Sequence, residues 1–148
     1  MPEDIQDQDF NLLAYAQNYS QENELVRTVE VRPGATMDIQ FIGRTAWRKL
    51  SKALRRVKGS EVARDAAAET RVRKLLAKAI KGWDGFSPEV VAELIPVKPE
   101  GLPHLLPCTD QNKEALLLHS LEFSNLVADE AENLAAFRED IKEVQEKN

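Results

Sequence analysis

Three side chains in this sequence could in principle ligate a metal: His104, Cys108 and His119. Zinc takes thiolate and imidazole ligands at short, regular spacing on a helix or turn. Here two of the three fall in a proline-rich stretch, so ordinary loop and helix-face positions are expected for all of them. As a nucleophile, Cys108 would need a histidine within hydrogen-bond reach to lower its pKa. His104 is near in sequence without a surrounding signature, and a small, half-buried thiol is the expected state. Carboxylate pairs such as Asp129-Glu130 and Glu139-Asp140 lie in charge-rich helical patterns, where solvated surface is the expectation. There is no glycine-rich phosphate loop, no Cys-x-x-Cys, no His-Glu-x-x-His and no Gly-x-Ser-x-Gly. The residue chemistry thus points away from an enzyme and calls for no catalytic residue, cofactor or metal.

Charge is the stronger signal. The formal net charge of −5 conceals a division along the chain. Residues 44–81 hold thirteen Lys or Arg against Glu61, Asp65 and Glu69, a net of +10, whereas residues 109–148 hold ten acids against four bases, a net of −6. The basic surface, represented by Arg48, Lys52, Arg55, Arg56, Arg71, Lys74 and Lys78, could attract a nucleic-acid backbone by counterion release. No recognition-helix motif or stacking platform accompanies it, so a solvated face or an acidic protein partner is the expectation and a small nucleic-acid-associated regulator the alternative. A chain positive in the middle and negative at its end is also suited to self-association.

The elements that must carry these residues follow from periodicity. Residues 1–23 read as a flexible acidic arm, with Phe10, Leu12, Leu13, Ala14 and Tyr15 enough for one or two helical turns. From Glu24 to Ile42, apolar residues alternate with polar ones around Pro33-Gly34, which predicts a β-hairpin with those two at the centre of a tight turn. After Gly43 the period becomes helical. Trp47, Leu50, Leu54 and Val57 predict one basic helix, Gly59-Ser60 a stop and a new cap, and Ala68, Val72, Leu75 and Ala79 the buried side of a second helix running to Lys81. Residues 82–108 read as an aromatic turn, a short helix opened by Ser87-Pro88, and a proline-rich loop pinned by Leu102, Leu105 and Leu106, a candidate hinge. From Thr109 to about residue 145 a single long helix is expected, with Leu116, Phe123, Val127, Leu134, Phe137, Ile141 and Val144 on one stripe. The predicted class is therefore mainly α with a small N-terminal β-hairpin (α+β), about four helices, the last one longest, with residues 24–148 forming one domain.

At 148 residues with 43% hydrophobic and 30% charged content, the chain can bury a core without disulfides, and its single cysteine cannot form one internally. The acidic start is unlike a secretory signal, and no apolar run approaches the roughly 20 residues needed to cross a bilayer. A cytoplasmic protein with no membrane partner is expected.

The segment Lys81-Gly82-Trp83-Asp84-Gly85-Phe86, which closes the basic helix in a Trp-x-Gly turn, carries a resemblance. After a variable loop come Pro107-Cys108-Thr109, the leucine-rich Glu114-Ala115-Leu116-Leu117-Leu118, then Phe123, and later Asn133-Leu134-Ala135-Ala136-Phe137 before a charged tail ending in Glu146-Lys147-Asn148. In this order the segments resemble the tail assembly chaperones of long-tailed, siphovirus-like bacteriophages and prophages, over residues 25–148. The resemblance implies a non-enzymatic protein of the host cytoplasm, absent from the mature virion. It would coat the tape measure protein until tail tube subunits replace it, and a longer form would arise by translational frameshifting near the carboxyl terminus. For a holder of a long apolar helix, the expected contact region is the aromatic turn and final helix, with Trp83, Phe86, Leu116, Leu117, Phe123, Val127 and Leu134 as candidates.

Overall fold

The computed structural model describes residues 7–147. The acidic residues 1–6 of the expected arm, the last residue Asn148, and the side chain of the stripe position Val144 lie outside what is described.

The predicted hairpin forms where the alternation placed it. Strand β1 (Val26–Arg32) pairs antiparallel with β2 (Ala35–Gln40), Val29 opposite Met37. Pro33 and Gly34 link them, and Gly34 sits at φ +83°, a conformation open to glycine at little cost. Val29, Val31, Ala35, Met37 and Ile39 turn to the buried face, and Thr28, Glu30 and Asp38 to solvent.

The sheet has a third strand that the sequence pattern hid. The second basic helix stops at Ala79, and β3 (Ile80–Asp84) pairs antiparallel with β2, giving the order β1-β2-β3. The segment Lys-Ala-Ile-Lys continues a helical spacing, but Ile80 opposite Ile39 and Trp83 opposite Met37 put two large apolar groups onto the buried face of the sheet. That cross-strand packing outweighs the local helical preference.

The helical part also departs from expectation. Among the described residues there are seven α-helices rather than about four: α1 (Leu12–Asn18), α2 (Arg44–Arg55), α3 (Glu61–Ala79), α4 (Pro88–Leu94), α5 (Asp110–His119), α6 (Leu121–Glu132) and α7 (Leu134–Lys147). The longest is α3, with 19 residues, not the last. The single helix expected after Thr109 is broken twice, and each break is an N-cap. Ser120 Oγ accepts from Phe123 N at 3.0 Å, and Asn133 Oδ1 accepts from Ala136 N at 3.1 Å. Ser and Asn side chains offer backbone N–H groups an alternative to helical bonding, so they reset a helix without glycine or proline.

The core lies between the inner face of the sheet and α3, α4, α5, α6 and α7. Leu76 and Ala79 are the buried residues of α3, while Ala68, Val72 and Leu75 are half-buried. Arg27 pairs with Glu130 beneath the cation–π contact to Phe137, 5.5 Å from the ring centroid, tying β1 to α6 and α7. Arg32 joins β1 to α4 through Glu93 (2.9 Å) and to α6 through Glu122 (2.8 Å). No helix among the described residues is long and apolar enough to cross a membrane.

Candidate interaction surfaces

The aromatic turn after β3 is built into the core. Gly85 stands at φ +77°, and a Cβ there would overlap the carbonyl oxygen of Gly34, so this turn and the hairpin turn abut through backbone. Trp83 stacks on Phe86 with ring centroids 4.7 Å apart and planes 4° from parallel, and both meet Phe123 edge-on at 6.3 Å. The Trp83 indole donates to Leu106 O at 2.7 Å, while Leu106 N donates to Phe86 O at 2.9 Å. Leu106 is clasped between the aromatics, and with Leu102 it pins the proline-rich loop; Leu105, the third expected pin, is exposed. The loop is anchored at the point where a hinge would have to move.

This arrangement relocates most of the expected contact residues. Phe86, Leu116, Leu117, Phe123 and Val127 are buried, Phe123 and Val127 completely, and Trp83 is half-buried with its N–H satisfied inside the protein. Their shared helical spacing and aromatic character arise from core packing. Of the seven candidates, Leu134 is exposed, at 43%. Other large apolar side chains stand in solvent on the same helices: Leu118 on α5, Leu121 on α6 (77% exposed) and Ile141 on α7.

The basic candidates Arg48, Lys52, Arg55, Arg56, Arg71, Lys74 and Lys78 are all exposed. Among the described residues, no Lys or Arg of α2 or α3 enters an ion pair. Helix α2 is strongly amphipathic yet buries none of its residues fully; Trp47, Leu50 and Leu54 reach half-burial. Two cavities flank it. One, of about 470 Å³, is lined by Phe41, Arg44, Trp47, Arg48, Ser51 and Glu132. The other, of about 440 Å³, runs between Ala46 of α2 and Leu75 and Lys78 of α3, with Glu22 and Gln40 at its rim. The Trp47 indole nitrogen is buried with no hydrogen-bond acceptor, an uncommon state for a buried donor.

A third surface was legible only as a short apolar patch. Helix α1 has no buried residue, and Phe10, Leu12, Leu13, Tyr15 and Tyr19 are between 45% and 71% exposed. Their rings find each other instead: Phe10 and Tyr15 lie 5.4 Å apart, Tyr15 and Tyr19 4.6 Å.

The residues first considered for chemistry are dispersed. His104 and His119 are exposed, and no group of three His, Cys, Asp or Glu that could hold a metal forms among the described residues. Cys108 is half-buried, and desolvation raises its thiol pKa against the opposing charge of Lys113. Comparison of the chain with family models, curated proteins and solved structures finds no match.

Proposed function

We propose that this protein is a tail assembly chaperone of a long-tailed phage or prophage. It binds the tape measure protein in the host cytoplasm, keeps it soluble and helps recruit tail tube subunits, acting by protein binding rather than catalysis, and does not remain in the mature virion. The observation that carries the binding role is the set of large apolar side chains that α5, α6 and α7 leave in solvent: Leu118, Leu121, Leu134 and Ile141. Exposed apolar groups on helices are what a protein that covers another apolar helix would offer. The segments carrying the family resemblance support the reading in a second way. Trp83, Phe86, Leu116, Phe123 and Phe137, spread over more than fifty positions, all join one core, as residues that define a common fold should.

The test is co-expression with the parent phage's long helical tail protein, nuclease treatment and recovery of the tagged chain. Stoichiometric recovery of that protein, with its soluble fraction raised and the effect lost in a Leu121→Ser, Leu134→Ser variant, is the expected result. The exposed cations of α2 and α3, in no ion pair among the described residues, favour one other reading, a small nucleic-acid-associated regulator. Retention of DNA or RNA with a steep salt dependence, and no protein partner, would replace the first reading with the second.

A further inference from the structure

We infer that the acidic, aromatic arm is a docking segment for a second copy of this chain, and that its receptor is the basic, Trp47-lined cleft along α2. The two surfaces complement each other in charge and in apolar character. Residues 1–24 contain six Asp or Glu and no Lys or Arg, while residues 44–58 contain seven Lys or Arg and no acid. A seven-residue helix is too short to persist in water on local bonding alone, yet α1 has its large apolar groups in solvent and adds nothing to the core. Its foot is held to the body, where Arg138 of α7 donates to Gln21 at 2.8 Å and borders a groove with Tyr15 and Tyr19, while its apolar side chains stay largely in solvent.

The cleft is short of what the arm supplies. Phe41 and Trp47 give it an apolar floor, and Arg44 and Arg48 a cationic rim that an acidic segment would complement. Glu132 is the acid on this rim, so the cationic side at Arg44 and Arg48 sets the direction of approach. Among the described residues, no salt bridge holds these cations, so pairing with an arm need break none of the ion pairs seen there.

The position of the arm's foot fixes the kind of assembly. Glu22 and Asn23, where the arm joins β1, already line the cavity on the other flank of α2, and Asn23 accepts from Gln40 at 3.3 Å. The arm therefore leaves the body beside the receptor of its own copy. Two copies brought together at this edge can each lay an arm on the other, which closes the contact as a two-fold dimer instead of an open chain. This inference does not depend on the chaperone reading, since neither surface belongs to the apolar set on α5–α7.

Light scattering and sedimentation equilibrium of the full chain test it without any partner present. A dimer is expected whose dissociation constant rises by at least about tenfold between roughly 0.01 M and 1 M salt, as the screening length falls from about 30 Å to about 3 Å. Tyr15→Ser with Tyr19→Ser should give a folded monomer, because both side chains are already exposed. Arg48→Glu with Lys52→Glu should do the same, and mixing these two variants should restore a weaker heterodimer joined by one intact arm and cleft. A wild-type monomer at all concentrations overturns the inference, whether the arm is free or folds back on its own cleft. So does a dimer that survives either pair of substitutions, or two variants that do not associate when mixed.

Discussion

Replacing Phe123 with alanine removes the one ring that touches both members of the Trp83–Phe86 stack, and the structure sets a large cost for it. The side chain is fully buried, so the loss comprises apolar transfer and a cavity under the aromatic turn, about 3–5 kcal/mol for Phe→Ala in a core. Two edge-on ring pairs at 6.3 Å are lost as well, each worth about 0.5–1.5 kcal/mol beyond area. Contacts of Gly85 with Gly34 and the hydrogen bonds holding Leu106 from both sides oppose backbone relaxation into the space. The upper part of the range, about 4–5 kcal/mol, is therefore expected. For a domain of this size that corresponds to a fall in Tm of roughly 10–15 °C. Urea unfolding followed by tryptophan fluorescence and by far-UV circular dichroism measures it, with Leu134→Ala as a surface control expected to change stability by less than about 0.5 kcal/mol. Should the alanine variant not fold, Phe123→Leu, at about 1.5 kcal/mol, reports the same packing. A Phe123→Ala protein within about 1 kcal/mol of wild type, or a Leu134→Ala protein as damaged as Phe123→Ala, would refute the placement of this ring in the core.

Gly34→Ala meets open space and carries only the strain of a positive φ, about 1–2 kcal/mol, whereas Gly85→Ala has the same strain plus overlap with the Gly34 carbonyl and should cost at least about 3 kcal/mol. Equal thermal shifts in the two variants would show that the turns do not abut. Glu122 accepts from Arg32, which holds its carboxyl pKa below the usual value. A lowered folded-state pKa contributes stability that is present above the unfolded carboxylate value and is lost as pH falls through the folded one. Glu122→Gln should thus lower the urea midpoint at neutral pH, by less in high salt because the pair is exposed, and the difference from wild type should vanish in strong acid; a difference that grows on acidification would contradict the pairing.

How much of this was legible beforehand can be traced to single residues. Pro33-Gly34 marked the hairpin because its φ requirement is written in residue type, and Gly34 does take the positive φ. Trp47, Leu50 and Leu54 marked α2 because amphipathic spacing is a local property, although the helix ends at Arg55, short of Val57. Strand β3 was hidden, since Ile80 and Lys81 continue the helical spacing and Gly82-Trp83-Asp84 reads as a turn until β2 lies beside them. Ser120 and Asn133 divided the last helical region where neither glycine nor proline announced a stop; their capping is visible once the breaks are known. Most of the expected contact set is buried for a related reason. Leucine and phenylalanine at helical spacing describe a core face and a docking face equally well, and which one they form depends on what the sheet brings against them.

The consequence for function is a transfer of attention from stripe to surface. On the sequence, the strongest apolar pattern ran through Phe123, Val127 and Phe137; in the fold, those residues are consumed by packing with Trp83, Phe86 and Phe41. What remains for other molecules is what the core leaves over: Leu118, Leu121, Leu134 and Ile141 on the C-terminal helices, the exposed cations of α2 and α3, and the aromatics of α1. Leu134 and Ile141 belonged to the predicted stripe, but Leu118 and Leu121 did not stand out by periodicity, because a surface kept available for a partner need satisfy no internal spacing. Each is chemically distinct, one apolar and helical, one cationic, one acidic and aromatic, and the last borders α7 at Arg138, between Leu134 and Ile141. Substitutions confined to one surface should separate client binding from self-association, with Leu121→Ser and Leu134→Ser leaving self-association intact and Tyr15→Ser and Tyr19→Ser leaving client recovery intact. If both activities fall together in either variant, the surfaces are not independent and the exposed leucines belong to the contact between copies.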